Sequence, residues 1–339
     1  MDNCNRQWLL IRRPHGVSVP ADFEYVETER PSFDNLAPGE LVLRNLAFLC
    51  APTMRNWMDP PSNSLYPSLV LGAPVMAPAA SVVVASNRPN MPVGTRVTGF
   101  TSWQDYQRVG SEHLATPIPD GVDTEHAMGV LGLNSLTAYF GLLRVGRPVA
   151  GDTVVVSGAA GSTGSVAAQI AKIKGCRVIG VAGGEKKCNW LLSDLKLDGV
   201  IDYKKDPLEE RLRELCPQGV NVFFDNVGGP ILQAVVENMA RKGRIVLCGQ
   251  IDGYNNSVPI PGPTNMMRLI YGSITMQGFL QADYADQVPA ALQEIQSWLA
   301  SGKLRCRVDA RLGFLQIPET FACIFDGRNH GTLLAIVDT

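Results

Sequence analysis

The chain has 339 residues, with 30 Lys and Arg against 32 Asp and Glu, a formal charge of −2 and a pI near 6.1. That length predicts two domains, and the near-even charge balance leaves no basic footprint for nucleic acid. No apolar run is read as reaching the roughly 20 residues that span a bilayer, and the patch Trp8 to Ile11 is too short for a signal-peptide core, so the expectation is a cytoplasmic protein with no membrane partner.

In chain order, residues 1 to about 125 are rich in Pro and in short β-like runs at 40–46, 81–85 and 95–100. Turn signals such as Ala37-Pro38-Gly39 and Pro92-Val93-Gly94 separate them, which is the spacing of a compact β domain. Near residue 126 the texture changes. Apolar strands are expected at 153–157, 177–182, 199–202, 220–225 and 244–248, with helices at 164–175, 185–195, 207–216 and 230–241. Continuous apolar strands alternating with helices imply a parallel sheet covered on both faces. The run 274–280 adds a further strand. The segment 285–301 reads as an amphipathic helix with Val288, Ala291, Leu292, Ile295, Trp298 and Leu299 on its apolar side. The last thirty-odd residues return to β texture, end in a strand at 332–337 and are expected to rejoin the first domain.

The segment Ser157-Gly158-Ala159-Ala160-Gly161-Ser162-Thr163-Gly164 closes the first strand of the α/β region, and a helical pattern follows at once. Strand, tight turn and helix N-terminus together hold a dinucleotide pyrophosphate. Ala159, Gly161 and Gly164 take the three small-residue places, with Ser162 and Thr163 between them. After the second strand an NAD-binding chain usually carries an acidic residue for the ribose 2′-hydroxyl. Here Gly183-Gly184 stands there, followed by Glu185, Lys186 and Lys187, and Tyr203-Lys204 follows the next strand. Small residues leave room for a 2′-phosphate and a lysine neutralises it, which favours NADPH. A solvated helix start is the other reading of the two lysines. Asp225-Asn226-Val227-Gly228-Gly229 and Cys248-Gly249-Gln250 end the fourth and fifth strands, where such sheets bind ligands. Asn226 offers a donor and an acceptor; a simple turn is the alternative there.

The eight cysteines, at 4, 50, 176, 188, 216, 248, 306 and 323, form no Cys-x-x-Cys pair and read as free thiols in a reducing compartment. The four histidines are His15, His113, His126 and His330, none beside a Glu in a ligand motif. Leu71-Gly72-Ala73-Pro74-Val75 occupies the place where a zinc alcohol dehydrogenase would have Gly-His-Glu, and no Tyr-x-x-x-Lys pair is present. The expected chemistry is therefore metal-free. NADPH delivers hydride to the β-carbon of an activated C=C bond, and a hydrogen-bond donor stabilises the enolate. Tyr254, six residues past Cys248, stands at the right end of the sheet for that donor. It reads otherwise as a loop tyrosine. The segment Val258-Pro259-Ile260-Pro261-Gly262-Pro263 is a stiff substrate flap or a surface loop.

These residues resemble the zinc-independent medium-chain reductases of the alkenal/one oxidoreductase group, which includes prostaglandin, plant double-bond and curcumin reductases. The resemblance covers nearly the whole chain. Its marks are Arg13-Pro14-His15-Gly16, Met54-Arg55, Trp103-Gln104-Asp105-Tyr106, Leu136-Thr137-Ala138-Tyr139-Phe140-Gly141, the turn at 159–164, Phe224-Asp225-Asn226-Val227-Gly228-Gly229 and Tyr254-Asn255. It implies a GroES-like β-barrel catalytic domain built from residues 1–126 and 305–339 and a Rossmann NADPH domain over 127–304. It implies 2′-phosphate contacts from Lys187 and Tyr203, and further cofactor contacts from Asn226, Cys248, Gly249, Phe279, Asn329 and Gly331. Tyr254 matches the tyrosine that assists protonation, and Thr53, Met54, Asn134 and Tyr254 line the substrate pocket. A homodimer is implied, with residues 270–280 near the subunit contact. The chain departs from the family pattern at Ala51-Pro52-Thr53 (usually Asp-Pro-Tyr), at Gly132-Leu133-Asn134-Ser135 and at Asn329-His330-Gly331-Thr332. Losing the tyrosine ring at Thr53 enlarges the pocket, so the expected substrate is an enone or alkenal bulkier than a simple alkenal. The other readings are an NADPH-dependent quinone reductase and a catalytically silent NADPH-binding protein.

Overall fold

The computed structural model describes residues 3–61, 68–256, 258 and 260–338. The chain forms two compact units, Met1–Met128 with Val308–Thr339, and Gly129–Arg307. Strands of the first unit are β1 (Cys4–Leu10), β2 (Phe23–Glu29), β3 (Leu41–Leu49), β4 (Met76–Ser86), β5 (Arg96–Ser102), β6 (Tyr106–Val109) and β7 (Ala115–Pro117). The second unit holds β8 (Thr153–Ser157), β9 (Arg177–Ala182), β10 (Gly199–Asp202), β11 (Val220–Asp225), β12 (Met239–Leu247) and β13 (Thr275–Gly278). The chain then supplies β14 (Val308–Leu312) and β15 (Thr332–Ile336) to the first unit.

In the first unit β14, β15, β3, β4, β5 and β7 lie side by side in that order, with β6 also on β3, while β1 and β2 pair apart. Leu41, Leu43, Val83, Met91, Val97 and Val109 form one of its packed clusters. Arg55 is buried, and its guanidinium donates to the Pro14 and Gly16 carbonyls at 3.0 and 2.9 Å and to Asp59 at 2.6 Å. The Met54-Arg55 and Arg13-Pro14-His15-Gly16 motifs are thus one structural joint.

The second unit is a six-stranded sheet in the order β10-β9-β8-β11-β12-β13, parallel at every pairing. Successive residues of each strand serve opposite faces. Val154, Val156, Phe224 and Val246 pack with Leu136, Ile170 and Ile295 on one side. Val155, Ile179, Phe223 and Ile245 pack with Leu212, Ile231 and Val235 on the other. The strand order reverses between β8 and β11, which puts the crevice for a ligand at the C-terminal ends of those two strands.

Three expectations need correction. The final segment is not all β: Ile317–Asp326 is a helix whose Ile317, Phe321 and Ile324 recur at helical spacing and are buried. The fifth strand starts at Met239, five residues before the apolar run, because Arg241, Lys242 and Gly243 are carried along it, and it ends at Leu247, before Cys248. Finally, one run is long and apolar enough to cross a membrane, Thr124–Gly146, with a mean hydropathy of 1.2 over its best window. Its Leu136, Ala138, Tyr139, Phe140 and Leu142 sit in the core of the second unit, and 61% of that window is buried. Among the described residues no disulfide joins any of the eight cysteines. Burial pushes the thiols of Cys50, Cys176 and Cys216 up to about 12, 11 and 11.

Candidate dinucleotide site

The turn after β8 is built from Gly and Ala, and it is closed tightest at Gly164. The helix Ser162–Ile173 has Gly161 as its N-cap, with no side-chain cap hydrogen bond. A Cβ on Gly164 would lie 2.3 Å from the Gly158 carbonyl oxygen and 3.0 Å from the Ala159 Cα. The helix therefore rests directly on the turn, backbone against backbone. Ala159 is buried and its N–H donates to the Val181 carbonyl at 3.0 Å, which ties the turn to β9. A helix N-terminus behind a turn of small residues fits a pyrophosphate.

Next along the sheet edge, the Gly184 N–H and the Lys204 N–H both donate to the buried Asp202 carboxylate, at 2.9 and 3.1 Å. This carboxylate ties the ends of β9 and β10 together. A Cβ on Gly183 would fall 2.8 Å from the Tyr203 ring and hydroxyl. The missing side chain is what seats Tyr203, whose ring is 49% exposed. Lys187 is half-buried in the first turn of the helix Glu185–Ser193, and Lys186 is exposed.

At the ends of β11 and β12 the chain loops back on itself. Asp225 is wholly buried and accepts the Ser157 hydroxyl at 2.7 Å, the Val227 N–H at 3.0 Å and the Gly228 N–H at 3.1 Å. Burial pushes its carboxyl above the ordinary value, against the pull of those three donors. The Asp225 carbonyl accepts the N–H groups of Cys248 and Gly249 at 2.8 and 3.0 Å. Burial, with the Asp225 charge adding to it, pushes the Cys248 thiol up to about 12, which makes it a packing group at neutral pH. The Tyr254 phenol oxygen accepts the Gln250 N–H at 3.1 Å and lies 3.1 Å from where a Gly249 Cβ would stand. Asn226, Gly249 and Tyr254 are thereby gathered at one sheet edge, since the Asn226 carbonyl is 3.2 Å from the same Gly249 position.

The remaining assigned residues are placed as follows. Asn134 is half-buried at the second position of the helix Leu133–Phe140. Phe279 follows β13, and its ring packs on the core beside Gly141 and Phe224. Thr53, Met54, Asn329 and Gly331 belong to the first unit. Thr53 precedes the short helix Met54–Trp57; Met54 is 0% exposed, so its side chain is core rather than lining. The Asn329 side chain donates to the Gly331 carbonyl at 3.2 Å, and the His330 N–H donates to Asp309 at 3.1 Å. Ser257 and Pro259, part of or adjoining the proposed flap, lie outside the described residues. Sequence reasoning passed over Ser157, Asp202 and the carboxylate role of Asp225. A polar residue closes each of these three strands, which marks the position in the sequence but not its partner.

The protein-family model described as the N-terminal domain of oxidoreductase matches residues 6–116, and the one described as zinc-binding dehydrogenase matches residues 162–297. The chain is 38% identical to the putative NADP-dependent oxidoreductase YfmJ of Bacillus subtilis, over 98% of each chain. It is 35% identical to the NADPH-dependent curcumin reductase of Escherichia coli, over 97% of this chain and 96% of that one. Among solved structures, CurA of Vibrio vulnificus in complex with NADPH superposes with a TM-score of 0.92 at 34% identity, covering 98% of this chain and 99% of that one. The zinc in the second model's description finds no matching donors here. Among the described residues no three His, Cys, Asp or Glu side chains come together, and Leu71 to Val75 carry no ligand atoms in their side chains.

Proposed function

Since this chain belongs to the medium-chain dehydrogenase/reductase family, we propose that it is an NADPH-dependent reductase of the C=C bond of α,β-unsaturated ketones or aldehydes. The observation that carries this reading is the Tyr254 phenol, held on Gly249 at the ligand edge of the sheet. When bound, NADPH supplies the hydride. The turn at 158–164 and the helix behind it hold the pyrophosphate. Lys187 would neutralise the 2′-phosphate, and Tyr203, seated on Gly183, would line the same place. The Gln250 N–H occupies the acceptor side of the Tyr254 oxygen, which directs the phenol proton to a partner other than that N–H. Tyr254 would first donate its hydrogen bond to the enolate oxygen and then pass that same proton to the α-carbon, the phenolate regaining a proton from solvent. Thr53, in place of a tyrosine, favours larger enones.

The test is NADPH oxidation against a panel of alkenals, aryl enones and quinones, with the product identified. A saturated ketone or aldehyde is expected, with aryl enones turned over faster than 4-hydroxynonenal. Turnover of quinones alone would make the protein a quinone reductase, and tight NADPH binding with no turnover would make it a silent binder.

We read the homodimer contact in the exposed Met266, Met267, Ile270, Tyr271 and Leu280 beside β13, the edge strand of its sheet. Light scattering of Ile270→Asp should then show a monomer.

A further inference from the structure

Ser157 closes β8 and Asp225 closes β11, and both are 0% exposed. The Ser157 hydroxyl donates to Asp225 at 2.7 Å and accepts the Asn226 main-chain N–H at 2.8 Å. The Ser157 carbonyl accepts the Asn226 side-chain Nδ2 at 2.7 Å. A carbonyl only accepts, so that bond decides which end of the amide faces the strand. It leaves the Asn226 Oδ1 as the acceptor this side chain can offer a ligand. The Ser157 hydroxyl thus fixes the main-chain entry into Asn226, and the main-chain carbonyl of the same residue receives the amide, while Asp225 clamps the next two N–H groups.

We propose that Ser157 is a positioning residue of the cofactor site: its hydroxyl, by holding the Asn226 main-chain N–H against Asp225, keeps the Asn226 amide within reach of the residue 157 carbonyl, so that Oδ1 is a fixed acceptor for a hydroxyl or amide donor of the dinucleotide. The inference rests on NADPH being the ligand. A side chain held in one rotamer before binding loses less freedom on binding, so the benefit is read as affinity. The 2′-phosphate plays no part in it, and NADPH and NADH should respond alike.

The test is direct fluorescence titration of NADPH and NADH with no enone present. Ser157→Ala is expected to weaken both by about tenfold. Ser157→Cys keeps the volume with a poorer donor and should give an intermediate loss; it carries the test if the alanine variant does not fold. Asn226→Ala should weaken binding as well. In the double variant Ser157→Ala should cost less than about twofold beyond Asn226→Ala, because residues acting through one contact are not additive. Wild-type affinity in the serine variants, or losses that multiply in the double variant, would overturn the proposal. A wild-type protein that binds NADPH but reduces no enone refutes the proposed reaction and leaves this inference standing; one that binds no NADPH overturns both.

Discussion

Gly164 offers the sharpest perturbation of the cofactor cradle. In Gly164→Ala the new methyl would stand 2.3 Å from the Gly158 oxygen and 2.9 Å from its carbon. A carbon–oxygen contact needs about 3.3 Å, so turn and helix must separate by about 1 Å. Both neighbours are backbone, and no side chain can rotate away. Overpacking of this kind costs about 1–3 kcal/mol, a fall of several degrees in Tm for a protein of this size. The same shift would draw the helix N–H groups away from the proposed pyrophosphate position. Losing one bond to a charged group, worth about 1.5–3 kcal/mol, weakens NADPH by roughly ten- to a hundredfold. Gly161→Ala is the internal control. Gly161 has φ −80° and ψ 175°, an ordinary extended backbone, and its Cβ would be 3.2 Å from that same oxygen, so its cost should stay below about 1 kcal/mol. NADPH fluorescence titration beside a thermal melt measures both effects. Gly164→Ala with wild-type affinity and Tm, or equal losses in the two variants, would refute the close-packing argument.

Three further outcomes follow from the same site and its surroundings. Lys187→Ala should weaken NADPH by about ten- to a hundredfold and leave NADH nearly untouched; equal losses would remove Lys187 from the 2′-phosphate. Tyr254→Phe should lower kcat about a hundredfold with little change in the NADPH Kd, and unchanged turnover would assign the proton to water. Burial pushes the Asp309 carboxyl up, but Arg311 and the His330 N–H outweigh it and hold the pKa below the ordinary value. A depressed carboxyl stabilises above its unfolded pKa, about 3.9, and loses that contribution as pH falls through the folded value. Melting curves of wild type and Asp309→Asn should therefore differ at pH 5–7 and converge in strong acid; a gap independent of pH would refute the assignment.

Buried parallel strands were the most legible part of the chain. Thr153–Ser157, Arg177–Ala182, Gly199–Asp202 and Val220–Asp225 are continuous apolar runs bounded by turns, because both faces of that sheet are covered. The β1–β2 pair escaped notice: Trp8 lies opposite Tyr25, yet a non-strand connection separates the two strands and neither alternates cleanly. The helix Ile317–Asp326 was hidden by Phe321, Ile324 and Phe325, residues equally at home in strands. At the site, the glycines and Lys187 could be singled out because each has a local reason to be where it is. Ser157 and Asp202 could not, since their roles exist only once strand ends distant in sequence become neighbours.

The buried thiols acquire a meaning from the proposed substrates. Unsaturated carbonyls are soft electrophiles, and a cysteine thiolate is the nucleophile they alkylate most readily. A thiol of ordinary pKa, about 8.5, is a few per cent ionised at pH 7, whereas one at about 11–12 is ionised only to about one part in ten thousand or less. Cys50, Cys176, Cys216 and Cys248 fall in that second range, and Cys248 does so at the very edge of the sheet where the substrate is proposed to react. The packing that keeps these four thiols protonated would thus also lower their reactivity toward the proposed substrates.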